Sequence, residues 1–136
     1  MKVENAFTTI DIAVSGMNAH RKQMEVVSSN VANIQTIDAG DGKPYRRLEL
    51  SFKAASEDGV TAVEAGDVIK DMSDFHRVIA SPGDPRADKD GYITMPNVDL
   101  PRELITLNQA SRAYQANVAM LKRYQKMVRS TLELLK

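Results

Sequence analysis

Residues 100–135 read LPRELITLNQASRAYQANVAMLKRYQKMVRSTLELL, and the spacing of their apolar side chains decides the fold. Leu100, Leu104, Leu107, Ser111, Tyr114, Val118, Leu121, Gln125, Val128, Leu132 and Leu135 recur at alternating spacings of three and four, a heptad rhythm of about five repeats. A second stripe runs beside the first through Ala110, Ala113, Asn117, Met120, Tyr124, Met127, Thr131 and Leu134. One partner helix cannot cover both stripes. Asp99 stands where a helix N-cap belongs, with Pro101 in the first turn.

The amino-terminal stretch repeats the pattern. Ile10, Ala13, Met17, His20, Met24, Val27, Val31 and Ile34 form one seam with a single polar member, and the helix is predicted to end near Asn33 to Thr36, before the turn-rich residues 38–42. At a rise of about 1.5 Å per residue, these helices would be on the order of 40 and 55 Å long. A compact domain of this size has a radius of gyration of roughly 14 Å, so neither helix fits inside one.

Between the helices the character changes. All five Pro and six of the seven Gly lie from Asp38 to Pro101, and the segments 1–36, 37–97 and 98–136 carry net charges of 0, −4 and +4. Leu48, Leu50 and Phe52 alternate with Arg47, Glu49, Ser51 and Lys53, the period of a strand with one buried face. Val60 to Ala65, Asp67 to Lys70, Phe75 to Ile79 and Tyr92 to Met95 are further strand candidates. The predicted fold is mainly α with a small β-rich insert: a coiled-coil helix over 1–36, an antiparallel β-rich segment over 37–97 and a second coiled-coil helix over 98–136.

Composition closes several function classes. The chain has 136 residues and no Cys, which removes disulfides, thiolate metal sites and cysteine nucleophiles. Eighteen basic residues balance eighteen acidic ones, unlike a general nucleic-acid binder. No window approaches the roughly 18 apolar residues of a membrane span, and no general secretory signal opens the chain. The cytoplasm is the default address on that ground, although a specialised export machine would leave the same blank.

Chemistry is sparse. His20 and His76 lie in different segments without a ligand partner at suitable spacing. Asp84, Asp88, Asp90 and Gly91 imitate half of a calcium loop, but Arg86 stands at the first carboxylate position and Asn97 where the bidentate Glu belongs. A solvated hairpin turn is the better reading, and no cofactor, metal or catalytic residue is expected. From Leu104 to Leu132 the helix holds Arg112, Lys122, Arg123, Lys126 and Arg129 with no acid. Lys122, Arg129 and Lys136 flank the seam, where basic groups meet acids on a neighbouring protein, so lipid and nucleic acid are not expected partners. Asn30, Asn33, Asn108 and Asn117 lie on or beside the stripes: Asn33 suits a helix end, and a buried amide elsewhere would fix helix register.

Three motifs then match a known family. Residues 15–19 (SGMNA), 28–33 (SSNVAN) and 41–46 (DGKPYR) resemble the amino-terminal pattern of flagellar axial rod and hook proteins. Residues 88–99 (DKDGYITMPNVD) and 110–118 (ASRAYQANV) are similar to the proximal rod class of that family, the FlgC type, and the resemblance covers essentially the whole chain. It departs at Val31, His20 and Asp84, where the family favours Leu, Gln, and His or Asn.

The resemblance implies a non-catalytic subunit of the flagellar drive shaft in the periplasm, transmitting torque and lining the export channel. Its implied partners are copies of itself, other rod proteins, and membrane-ring and export-gate components at the rod base. Export would use the flagellar type III apparatus without a cleavable signal. Rigidity would come from parallel helices with closed seams, and an isolated chain is expected to be largely disordered at both ends. The residues expected to make the assembly interface are Met17, Met24, Asn30, Val31, Asn33, Tyr114, Gln115, Asn117, Val118, Met120, Leu121, Met127 and Leu132. An intracellular coiled-coil adaptor is the alternative.

Overall fold

The computed structural model describes residues 3–57 and 60–135. In chain order it contains α1 (Val3–Ala32), β1 (Leu48–Glu57), β2 (Val60–Lys70), β3 (His76–Ile79), β4 (Tyr92–Met95) and α2 (Leu100–Leu134). This is the predicted architecture of two long terminal helices with antiparallel strands between them.

α1 is unbroken because no Pro interrupts it, and its one Gly, at position 16, costs only about 1 kcal/mol relative to Ala. Its end is closed by Asn33, whose Nδ2 donates to the Ser29 carbonyl at 2.9 Å while Oδ1 accepts from the Thr36 hydroxyl at 3.1 Å. At the other helix, Asp99 has the extended backbone of an N-cap and accepts from the Arg102 amide, with Pro101 in the first turn.

The helices pack antiparallel. Asn30 near the end of α1 meets Glu103 at the start of α2, and Gly16 farther back on α1 lies against Asn117 farther along α2. α1 has a second neighbour, since the β1–β2 hairpin runs along it and the rings of His20 and Phe52 come within 5.9 Å. Two neighbours demand a wide buried arc. The residues buried on α1 are Ala13, Ala19, Val26, Val27 and Asn30. Ala19 and Val26 lie outside the sequence seam, which marks only one edge of that arc.

On α2, too, the contact line differs from either stripe. The stripe members that are buried or half-buried are Leu107, Ser111, Tyr114, Val118 and Leu121 of the first and Ala110, Ala113, Asn117 and Tyr124 of the second, so α1 docks along the line between the stripes. Met120 and Met127 of the second stripe stay exposed beside that line, and past Tyr124 every described residue of α2 is exposed.

Gly16 permits the close approach. A Cβ at that position would stand 2.7 Å from Asn117 Nδ2. Gly16→Ala is expected to be near neutral, because a helix-propensity gain of about 1 kcal/mol offsets displacement of one amide. Gly16→Leu should force the helices apart at a cost of about 1–3 kcal/mol. Thermal unfolding followed by circular dichroism checks this, and equal stability of the two variants would contradict the packing.

The β region corrects two details of the sequence reading. Val60 to Ala65 and Asp67 to Lys70 are one strand, not two. The register passes from Leu50 opposite Val68 to Phe52 opposite Ala65, leaving an extra residue on β2 at Gly66 and Asp67. A Cβ on Gly66 would stand 2.4 Å from Ser51 Oγ, so a larger residue in that bulge would displace the hydroxyl from its bond to the Asp67 carbonyl. Nor do the four strands share a sheet: β1 pairs only with β2, and β3 only with β4. Val63, Val68 and Ile69 remain more than a third exposed, as does Phe52 despite its approach to His20.

Candidate assembly surface and its polar joint

The most enclosed chemistry in the molecule is polar, and it lies where α1, β1 and α2 meet. The Asn30 side chain is fully buried and uses both ends of its amide. Nδ2 donates to the Leu48 carbonyl at 2.9 Å and to Glu103 Oε2 at 3.0 Å, while Oδ1 accepts from the Leu48 amide at 2.8 Å and from the Tyr45 hydroxyl at 3.0 Å. One amide thus ties the end of one helix to the first residue of β1 and to the other helix.

Glu103 is equally buried. Its Oε1 accepts from Arg47 Nε at 2.6 Å. The Arg47 guanidinium also donates to Glu49 and reaches Asp71 at 3.4 Å. Burial opposes the Arg47 charge, but hydrogen bonds and charges from Glu103 and Glu49 outweigh it and hold the guanidinium above its usual range. Asp71 is pulled below the usual carboxylate range, first by the Ser73 amide and hydroxyl and less by Arg47.

Asn97 completes the joint. Its Oδ1 accepts from the Arg47 amide at 2.9 Å, and Nδ2 donates to the Asp71 carbonyl at 3.1 Å and to Ser73 Oγ at 2.9 Å. Among the described residues no buried side-chain polar atom lacks a hydrogen-bond partner.

The acidic turn is occupied by its own chain. Asp88 Oδ1 accepts from the Asp90 and Tyr92 amides, and Oδ2 from Arg77 at 2.8 Å. Arg86, through side chain and amide, lowers Asp84 to about 2; the Tyr92 amide is the main cause of the lowered Asp88. Among the described residues no group of three His, Cys, Asp or Glu side chains is arranged to hold a metal ion. Asp88→Ala with Asp90→Ala is expected to leave the heat of calcium addition unchanged in calorimetry. A binding heat in the parent that disappears in the double variant would overturn the reading.

The expected interface residues divide into three groups. Asn30 is a member of the joint and Asn33 closes α1. Met17, Met24, Val31, Tyr114, Asn117, Val118 and Leu121 are half-buried along the existing packing lines. Gln115, Met120, Met127 and Leu132 are exposed on α2, as are Leu104, Ile105, Leu134 and Leu135. Arg47, Glu103 and the role of Asn97 were not legible in the sequence: a charge next to another Arg, and an acid in a first helical turn, ordinarily face water.

Among the described residues no helix is long and apolar enough to cross a membrane. An antiparallel helix pair is thus fastened at one end by a buried polar joint, and α2 leaves apolar side chains exposed. Comparison with known proteins identifies the family. Residues 10–37 match the family described as flagella basal body rod protein, and residues 89–134 match the flagellar basal body rod FlgEFG protein C-terminal family.

The chain is 37% identical over 126 residues to the flagellar basal-body rod protein FlgC of Escherichia coli O6:H1, covering 91% of this chain and 93% of that protein. The FlgC of Salmonella typhimurium gives the same figures. That of Bacillus subtilis is 32% identical over 147 residues, covering 95% of this chain and 97% of its own. The chain therefore belongs to the FlgC family of flagellar basal-body rod proteins, and its role is that of a structural rod subunit.

Proposed function

We propose that the chain is a torque-transmitting element of the proximal rod, assembling helically with copies of itself and other axial proteins into a tube that also serves as the export channel. Membership in the rod family supports this reading, and one observation carries it further: α2 exposes apolar side chains that nothing among the described residues covers, Met120 and Met127 to one side of the line where α1 docks and Leu132 beyond Tyr124, where every described residue of the helix is exposed. Met120, Met127 and Leu132, all exposed, are the residues assigned to neighbours. Burying such side chains contributes about 1.5–3 kcal/mol each, and a dense seam resists twisting because repacking loses contacts on every layer.

Within one chain the helices run antiparallel, not parallel as expected, and the resistance of a dense seam to repacking does not depend on their direction. The partners on this reading are other rod proteins and the membrane-ring and export-gate components at the rod base. Its place is the periplasmic rod, reached through the flagellar type III apparatus. Deleting the gene and purifying basal bodies tests the proposal: rods should be missing and motility lost, with both restored by the intact gene. Complete rods in the deletion strain would refute it. An adaptor acting in the cytoplasm would leave rods intact while altering another process.

A further inference from the structure

Residues 76–95, which form β3, β4 and the turn between them, are an arm set apart from the rest of the molecule. Among the described residues no other helix or strand packs against β3 or β4. The hydrogen bonds and ion pairs of the turn stay inside it: Arg77 with Asp88 and Asp90, Arg86 with Asp84, and the Asp88 carboxylate with the amides of its own turn. The arm's ion pairs are thus internal, and no helix or strand outside it braces β3 or β4 among the described residues.

Two neighbouring chain segments hold it. On the incoming side, Arg46 Nη1 donates to the Asp71 and Ser73 carbonyls and its guanidinium lies 4.2 Å over the Phe75 ring. On the outgoing side, buried Asn97 grips the same Asp71 and Ser73 while accepting from the Arg47 amide. Both grips meet at residues 71–73, the place where a hinge would turn.

Beside the arm is space to turn into. An open cleft of about 300 Å³ separates its loop, at Ala87, Tyr92 and Ile93, from the loop after α1, at Ile37, Gly42 and Pro44. The cleft is lined on the arm side by Arg86, Asp88 and Thr94 as well as Ala87, Tyr92 and Ile93, so its walls are mixed, with polar groups outweighing apolar ones. The loop after α1 is itself braced, since Asp38 Oδ1 accepts from the Gly40 and Gly42 amides.

We propose that residues 76–95 form a hinged arm that closes as one body onto the loop at residues 37–44, and that Asn97 is the pin that sets its angle. The device stands independently of the rod reading. It would let one subunit meet differently placed neighbours while its helix pair stays fixed. Asn97 is a positioning residue here: it holds the hinge and touches no partner.

The chain has no Cys, so spin labels can be placed cleanly. Lys43→Cys with Lys89→Cys, both exposed, spans the cleft; Ala54→Cys with Lys70→Cys, within the β1–β2 hairpin, is the control. Pulsed dipolar spectroscopy on the purified full chain should give a cleft distance distribution broader than the control. Asn97→Ala, and Asn97→Asp, which keeps the acceptor for the Arg47 amide but loses the donors to Asp71 and Ser73, should at least double that width. Ser73→Ala should give an intermediate width, and the control should stay narrow throughout. A cleft distribution as narrow as the control, or one unchanged by these variants, overturns the proposal. If Asn97→Ala also broadens the control, Ser73→Ala decides alone.

Discussion

Glu103→Ala is expected to destabilise the folded chain by about 3–5 kcal/mol, because it leaves the buried Arg47 Nε and the Asn30 amide without their shared acceptor. Glu49 and Asp71 remain near the guanidinium, but both approach Nη1 and neither replaces the acceptor at Nε. Glu133→Ala is the contrast. Its pairing with Arg129 at 3.9 Å is highly exposed, so its loss should fall within about 1 kcal/mol. Urea unfolding of the three proteins measures the difference, and similar midpoints for both variants would show that the joint does not fasten the helices. A buried pair can be replaced by apolar groups more easily than it can be halved, so Glu103→Leu combined with Arg47→Met should recover much of the loss.

Leu121→Asp should block rod assembly while leaving secretion of the chain intact. Leu121 is half-buried between Val118 and Gln125, at the edge of the line where α1 docks. A carboxylate there is desolvated without a partner, at a cost of several kcal/mol per subunit. The penalty recurs at every copy in a tube. Secretion acts on a loosely ordered chain, and placing its signal in the amino-terminal third makes position 121 irrelevant to it. Motility, basal-body purification and secretion are measured in one strain lacking the parent gene. Normal swimming with the variant in intact rods would refute the seam, and loss of secretion would show that position 121 serves export instead.

How much of this was legible in the sequence depends on the range of the interaction. Helix existence, the Asp99 cap and the end of α1 are local, and heptad spacing with cap chemistry specifies them. The bulge at Gly66 appears in the sequence as a gap between two strand candidates, because periodicity alone cannot distinguish an extra residue from a break. Which arc of α1 is buried was not readable, since Ala19 and Val26 face neighbours brought by residues far along the chain. The joint was least visible. Asn30 could be suspected from its place beside a seam, but Glu103 is 73 residues away. Its burial follows from the docking of α2, which no pattern within α2 encodes. Family motifs supplied the role of the chain, and they too give no sign that a carboxylate is enclosed.

The exposed apolar side chains of α2 are expected to be buried at subunit interfaces. Basal bodies imaged at side-chain resolution, with this chain traced, test it most directly. The account predicts that Met120 and Met127 on one edge, and Leu132 on the continuing seam, each lie beneath a helix of a neighbouring subunit. Rods in which these side chains face solvent or the channel, with neighbours joined only through the β region, would contradict it.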